Sequence, residues 1–220
     1  MIVANIYYEI KIGIFQVLCR PSWYYLVNID LTEWIFYLYC KNDSSVATQL
    51  YTVRNADPSE FDEIGKLMVN VYSRLDGFPK ESEQPDYYRV LSNVGSFSDK
   101  PGTELLVVVS TENKIMGALV YFADMIYYGS GGTAPNEKNA SGFRLLAVHP
   151  DARGQGIGRL LANECVRKAR EKKHQQLIIH TTMTMQTAWH MYENMGFKRS
   201  ADLDFRQGEL PVFGFRLRFE

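Results

Sequence analysis

The sequence predicts a mixed α/β fold of the α+β kind, with a central sheet of about seven strands flanked by helices. Three observations carry this prediction. Short runs rich in Val, Ile, Leu and Tyr alternate with stretches whose apolar residues recur at helical spacing. A strand, a glycine-rich turn, a long helix and a further strand form a βαβ unit between Phe143 and Thr181. The chain closes on Phe215-Arg216-Leu217-Arg218-Phe219, whose apolar and basic residues alternate with the period of a half-buried strand.

Each element follows in order. Tyr51-Thr52-Val53-Arg54 opens a strand, and Asp57-Pro58-Ser59-Glu60 supplies a cap and an early proline to an amphipathic helix ending near Tyr72. Asp76-Gly77-Phe78-Pro79 breaks the pattern, and a second helix is expected from Pro85 to Val94. Glu104 to Val109 and Met116 to Tyr128 read as an antiparallel hairpin joined through Thr111-Glu112-Asn113-Lys114. The glycines and proline of Gly129 to Asn136 mark a loop that runs to about Ser141. Phe143 to Val148 is the fourth strand, Ile157 to Lys173 a helix, and Gln176 to Thr181 the fifth strand. Thr187 to Met195 gives one more helix, stopped by Gly196, before two closing strands.

Composition narrows the function. A formal net charge of −1 lacks the cationic footprint needed to hold a nucleic-acid backbone, so nucleic acid is not expected as a partner. Cys19, Cys40 and Cys165 show neither CxxC spacing nor a histidine cluster, which signals neither a disulfide framework nor a metal site and suits a reducing cytoplasm. Pro21, Asn28, Asp30 and Glu33 interrupt the most apolar region before it reaches the roughly 20 residues that cross a bilayer, so no membrane association is expected. Neither a charged opening nor a cleavage site for export is present at the start. Residues 1–45, rich in tyrosine, tryptophan and isoleucine, read as an appendage to a domain over 51–220: an extra element, a dimerisation arm, or a stretch outside the biological protein. A homodimer through that stretch or the closing strands is compatible with the same residues.

The chemistry concentrates in Val148-His149-Pro150-Asp151-Ala152-Arg153-Gly154-Gln155-Gly156-Ile157-Gly158-Arg159, between the fourth strand and the long helix. Three glycines let backbone amides approach a ligand, the first turn of the helix leaves N–H groups without partners, and Arg153 and Arg159 add full positive charge. A pyrophosphate suits that combination. The spacing G-x-G-x-G departs from the dinucleotide pattern, and the following strand lacks the acidic residue that would hold a ribose. No G-x-x-x-x-G-K-S/T for a nucleoside triphosphate occurs.

Leu146-Ala147-Val148-x-Pro150-x-x-Arg153-Gly154-x-Gly156-Ile157-Gly158 resembles the acyl-CoA motif of GNAT N-acetyltransferases. The order of elements from about Tyr51 to Glu220 is similar as well. The resemblance implies the acyl-CoA N-acyltransferase fold and acetyl-CoA as co-substrate with no metal. It implies a donor site in which Leu146, Ala147 and Val148 lend backbone groups to the pantetheine arm while Arg153, Gly154, Gln155, Gly156, Ile157, Gly158 and Arg159 hold the pyrophosphate. A second piece, Ala188-Trp189-His190-Met191-Tyr192-Glu193-Asn194-Met195-Gly196-Phe197, is similar to the family's A-x-x-L-Y-E-K-x-G-F helix. By that resemblance Tyr192 lies near the CoA sulfur and acts as general acid. Met185 stands where many relatives have asparagine, which leaves Gln186 or Thr187 to help hold CoA.

The general base stays unassigned. Where some relatives carry a glutamate on the fourth strand, this chain has Arg144 among apolar residues; Asp124, Glu137, His149, His180, His190 and a water relay are the alternatives. The acceptor is expected among the variable loops, where Asp202, Asp204 and Glu209 offer charges that could attract an amine. The leading reading is acetylation of a small-molecule primary amine. A protein N-terminus or lysine as acceptor, and a silent acyl-CoA binder, are its rivals.

Overall fold

The computed structural model describes residues 50–219, so the expected appendage over 1–45 lies outside the described residues. Strand β1 (Tyr51–Asn55) leads into a capping box: Asp57 Oδ1 accepts from Ser59 N at 2.9 Å, and the Glu60 carboxylate accepts from Asp57 N at 2.8 Å. Helix α1 (Phe61–Ser73) then buries Ile64, Leu67, Met68, Val71 and Tyr72, the face that its spacing demands. Helix α2 (Pro85–Ser92) approaches α1 at Gly65, where an added Cβ would sit 2.2 Å from the Ser92 carbonyl oxygen.

Strands β2 (Thr103–Ser110), β3 (Ile115–Phe122), β4 (Ala140–Val148) and β5 (Gln176–Thr181) form the middle of the sheet. Helices α3 (Ile157–Glu171) and α4 (Gln186–Asn194) follow β4 and β5, and β6 (Lys198–Arg199), β7 (Phe205–Gln207) and β8 (Leu210–Arg218) close the fold. Among the described residues the sheet has eight strands in the order β1-β2-β3-β4-β5-β8-β6, with β7 paired to β8. All neighbours are antiparallel except β4 and β5. The expected mixed α/β fold is therefore present.

Strand alternation divides the interior into two cores. Leu105, Val107 and Val109 of β2 face α1 and α2, whereas Leu106 and Val108 face α3 and α4 with Leu161, Cys165 and Ala169. Cys165 is thus core filling, fully buried as a free thiol.

Three boundaries differ from expectation. β3 ends at Phe122 rather than Tyr128, because Asp124 Oδ1 accepts from Ile126 N at 3.0 Å and starts a 3-10 turn, Met125–Tyr127, in place of further ladder. β4 begins at Ala140, three residues early, where it pairs with the start of β5. The chain closes with three strands instead of two, since a 3-10 turn at Ala201–Leu203 divides the first. Among the described residues no helix is long and apolar enough to cross a membrane.

Candidate active site

The glycine-rich turn has the geometry of an anion cradle. His149 Nδ1 accepts from Asp151 N at 3.3 Å and starts a 3-10 turn, Pro150–Ala152, after which Gly154 and Gly156 take φ of +77° and +82°. Such backbone favours glycine. A Cβ on either would meet nothing within 4 Å, so both face open space. Leu160 N donates to Gly156 O at 3.0 Å, which leaves the amides of Ile157, Gly158 and Arg159 ahead of the intrahelical ladder. Arg153 and Arg159 are exposed, and neither forms an ion pair among the described residues. The Gln155 side chain is instead committed to the loop: it accepts from the Tyr51 hydroxyl and donates to Asp151 O at 2.8 Å.

Beside the cradle the sheet opens. β4 and β5 pair only through Ala140, Ser141 and Gly142 against Gln176, Leu177 and Ile178, and then run on to Val148 and Thr181 without bonding each other. The result is a wedge at the C-terminal ends of two parallel strands. A bulge shapes its β4 wall, with Leu145 at φ +57° and the β3 register shifting between Ala118 and Val120. His149 N donates to Met116 O at 2.8 Å, and Ala147 stands opposite Ala118 in the same register. Hydrogen-bonded positions alternate in an antiparallel ladder, so Ala147 commits its backbone groups to β3. Leu146 and Val148 present theirs toward the wedge. Gly158 joins wedge and cradle: its Cβ position lies 3.4 Å from Met191 Sδ and 3.7 Å from both Leu146 and Val148 side chains.

Helix α4 delivers Tyr192 to the same place. Gly196 at φ +91° ends the helix in a Schellman motif, in which Phe197 N donates to Tyr192 O at 3.0 Å and Gly196 N to Glu193 O at 2.9 Å. The ring of Tyr192 packs edge-on against Phe143 of β4 at 5.8 Å and tilted against Phe197 at 5.7 Å. Burial pushes its phenol well above the ordinary range, with Tyr128 across the sheet adding to the shift.

Comparison with known proteins fits this geometry. The model of the acetyltransferase (GNAT) family matches residues 67–197, more than half of the chain. The chain belongs to the GNAT acetyltransferase family. No curated protein matches it. Among solved structures, a GNAT-family acetyltransferase from Staphylococcus aureus Mu50 superimposes with a TM-score of 0.59 at 15% identity, covering 77% of this chain and 99% of that one. This chain is likewise similar to yncA from Salmonella typhimurium, solved with its cofactor acetyl-CoA (0.57, 16%, 78% and 95%), and to spermidine N-acetyltransferase from Vibrio cholerae in complex with CoA and spermine (0.52, 14%, 77% and 96%).

The remaining expected residues of this GNAT acetyltransferase divide clearly. Thr187 is exposed in the first turn of α4, one residue after the helix starts, and Gln186 Nε2 donates to Met183 O at 2.6 Å. Met185 packs half-buried against the α1 and α2 core. Of the candidate bases, Asp124 is a cap, His190 is exposed beside Glu193, and Glu137 pairs with Arg216 at 2.7 Å near the start of β5. His149 follows the end of β4, where its ring caps the Pro150–Ala152 turn, and His180 of β5 is a neutral structural group. Its Nε2 donates to Leu203 O at 2.9 Å, so Nδ1 accepts the Tyr128 hydroxyl at 3.0 Å, and burial lowers its pKa to about 4. Asp202, Asp204 and Glu209 form ion pairs with Arg216, Arg199 and Arg206. A basic concavity of about 1020 Å³ lined by Arg170, Lys173, His174, Gln175, Arg218 and Phe219 lies at the opposite end of β5 and shares no residue with the wedge.

Residue patterns did not reveal the aromatic cluster on the α1 and α2 side. Tyr72 packs edge-on against Phe78 and Tyr87, which are tilted against each other, with centroids 5.5 to 6.0 Å apart, in the core that also holds Tyr128. Burial pushes Tyr87 up to about 12 and Tyr128 higher still. Their only sequence signal is a tyrosine-rich spacing on helices, which core packing produces equally well.

Proposed function

We propose that this chain moves an acetyl group from acetyl-CoA to the primary amine of a small molecule by direct attack, with Tyr192 as general acid. The observation that supports it best is the meeting of three parts at Gly158: the α3 amides, the free backbone edge of Leu146 and Val148, and the helix that carries Tyr192. The first suits a pyrophosphate, the second an extended amide-bearing arm, and the third a thioester sulfur. Neighbouring folds support that donor, since yncA was solved with acetyl-CoA and the Vibrio cholerae enzyme with CoA.

The residues present account for most of the reaction. The neutral amine attacks the thioester carbonyl, a C–N bond forms, and negative charge develops on the carbonyl oxygen, where an outward amide of β4 can donate to it. Collapse breaks the C–S bond. The amine's proton passes to water, and the departing sulfur takes its proton from Tyr192, which solvent then restores. Burial keeps that phenol protonated through the neutral range, as a proton donor must be.

The test is release of CoA thiol from acetyl-CoA across an amine panel, with the acetylated product identified by mass spectrometry. Release that depends on the amine supports the reading, and acetyl-CoA binding without release across the panel contradicts it.

A further inference from the structure

A charged side chain beside the wedge has no counter-ion among the described residues. Arg144 lies on the splayed part of β4, beyond the last residue paired with β5 and opposite Val120 of β3. Strand alternation from Phe143 puts its side chain on the α1 and α2 side, beside Tyr128. Its Nη1 donates to the carbonyl oxygens of Tyr128 and Gly129, each at 2.7 Å, and the guanidinium stands 5.6 Å from the Tyr128 ring centroid. Those two bonds use both N–H groups of Nη1 and fix the plane of the fork. Nε and Nη2 make no hydrogen bond among the described residues, and no carboxylate pairs with this half-buried cation there.

A half-buried guanidinium without a counter-ion is costly in a wall otherwise made of aromatic rings. The acids that could have neutralised it are engaged elsewhere: Asp202 with Arg216, Asp204 with Arg199, and Glu209 with Arg206. The free edge of the fork is thus a fixed positive charge on the splayed wall of β4. A cationic acceptor such as a polyamine would meet repulsion there and no carboxylate to offset it. A planar anion would complete the fork.

We infer that the acceptor is a primary amine bearing a carboxylate, an amino-acid-like compound whose anionic end is held by the free edge of Arg144 while its amine faces the thioester. This rests on the acetyl-transfer reading above and adds the substrate class. Arg144 binds and orients the acceptor, and its place on β4 leaves the proton of the amine to water.

The experiment compares free L-amino acids with their carboxamides and with spermidine, using the full chain and acetyl-CoA. At least one amino acid is expected to exceed its own carboxamide by about 30-fold or more in kcat/KM, with spermidine poorer than both. Arg144→Met should abolish that preference mainly through KM, and Arg144→Lys should restore part of it. Carboxamides or spermidine equal to or better than the amino acids would overturn the inference while leaving acetyl transfer intact. Thiol release absent with every amine would instead count against the transfer reading. Calorimetric titration of the CoA-loaded protein with the same amino acids and carboxamides then reads the carboxylate contact without turnover. Amino acids binding no better than their carboxamides would overturn the inference there too. Because the first comparison uses the unaltered protein, it stands even if an Arg144 variant fails to fold.

Discussion

At the residue scale, burial sets the behaviour of the groups around the wedge. His180 shows this most simply, because its pKa falls to about 4 in the folded chain from an ordinary 6.5. The unfolded chain therefore binds more protons between those values, so the stabilising effect of a neutral His180 is fully present above pH 6.5 and is lost as pH falls toward 4. The loss amounts to at most about 3 kcal/mol. Urea unfolding at pH 7.5 and at pH 4.5 should show it, and His180→Gln should flatten that part of the profile; an identical pH dependence in the variant would rule out His180 as its source. The sequence made Arg153, the glycines and Tyr192 legible because their spacing is local. It hid Arg144, Tyr72, Tyr87 and Tyr128, which lie far apart in the chain and meet only through tertiary packing.

At the scale of elements, two glycines make opposite predictions. Gly156→Glu puts a carboxylate into the open space before the α3 amides, so CoA affinity should fall by at least about tenfold in a titration. Its fold should survive, because nothing lies within 4 Å of the new Cβ and the left-handed backbone costs only about 1–2 kcal/mol. Unchanged affinity would contradict the cradle. Gly142→Ala should act on the fold instead. Its Cβ would come within 2.6 Å of the Tyr128 ring and 3.0 Å of Ile178 O, where the strands last pair before the wedge. Thermal unfolding should show a loss of about 1–3 kcal/mol, and a neutral effect would mean that Tyr128 is less tightly held than its packing indicates. Helix and strand order was legible from periodicity and caps. The short length of the β4 and β5 pairing was not, because no side chain announces where two buried strands part.

At the scale of the whole molecule, the family match over residues 67–197 and the eight-stranded sheet of the described residues agree on one catalytic architecture. The cradle, the wedge and Tyr192 all lie between β3 and the end of α4. A chain that begins at residue 46 is accordingly expected to keep its CoA affinity within about threefold, and a tenfold loss would show that the preceding residues contribute to the site. If donor cradle and buried phenol act on one thioester, thiol release should separate wild type from Tyr192→Phe in single-turnover measurements with an accepted amine and saturating acetyl-CoA. The rate is expected to be lower by about 10²-fold in the variant with CoA affinity unchanged. Equal rates in the two proteins would contradict it.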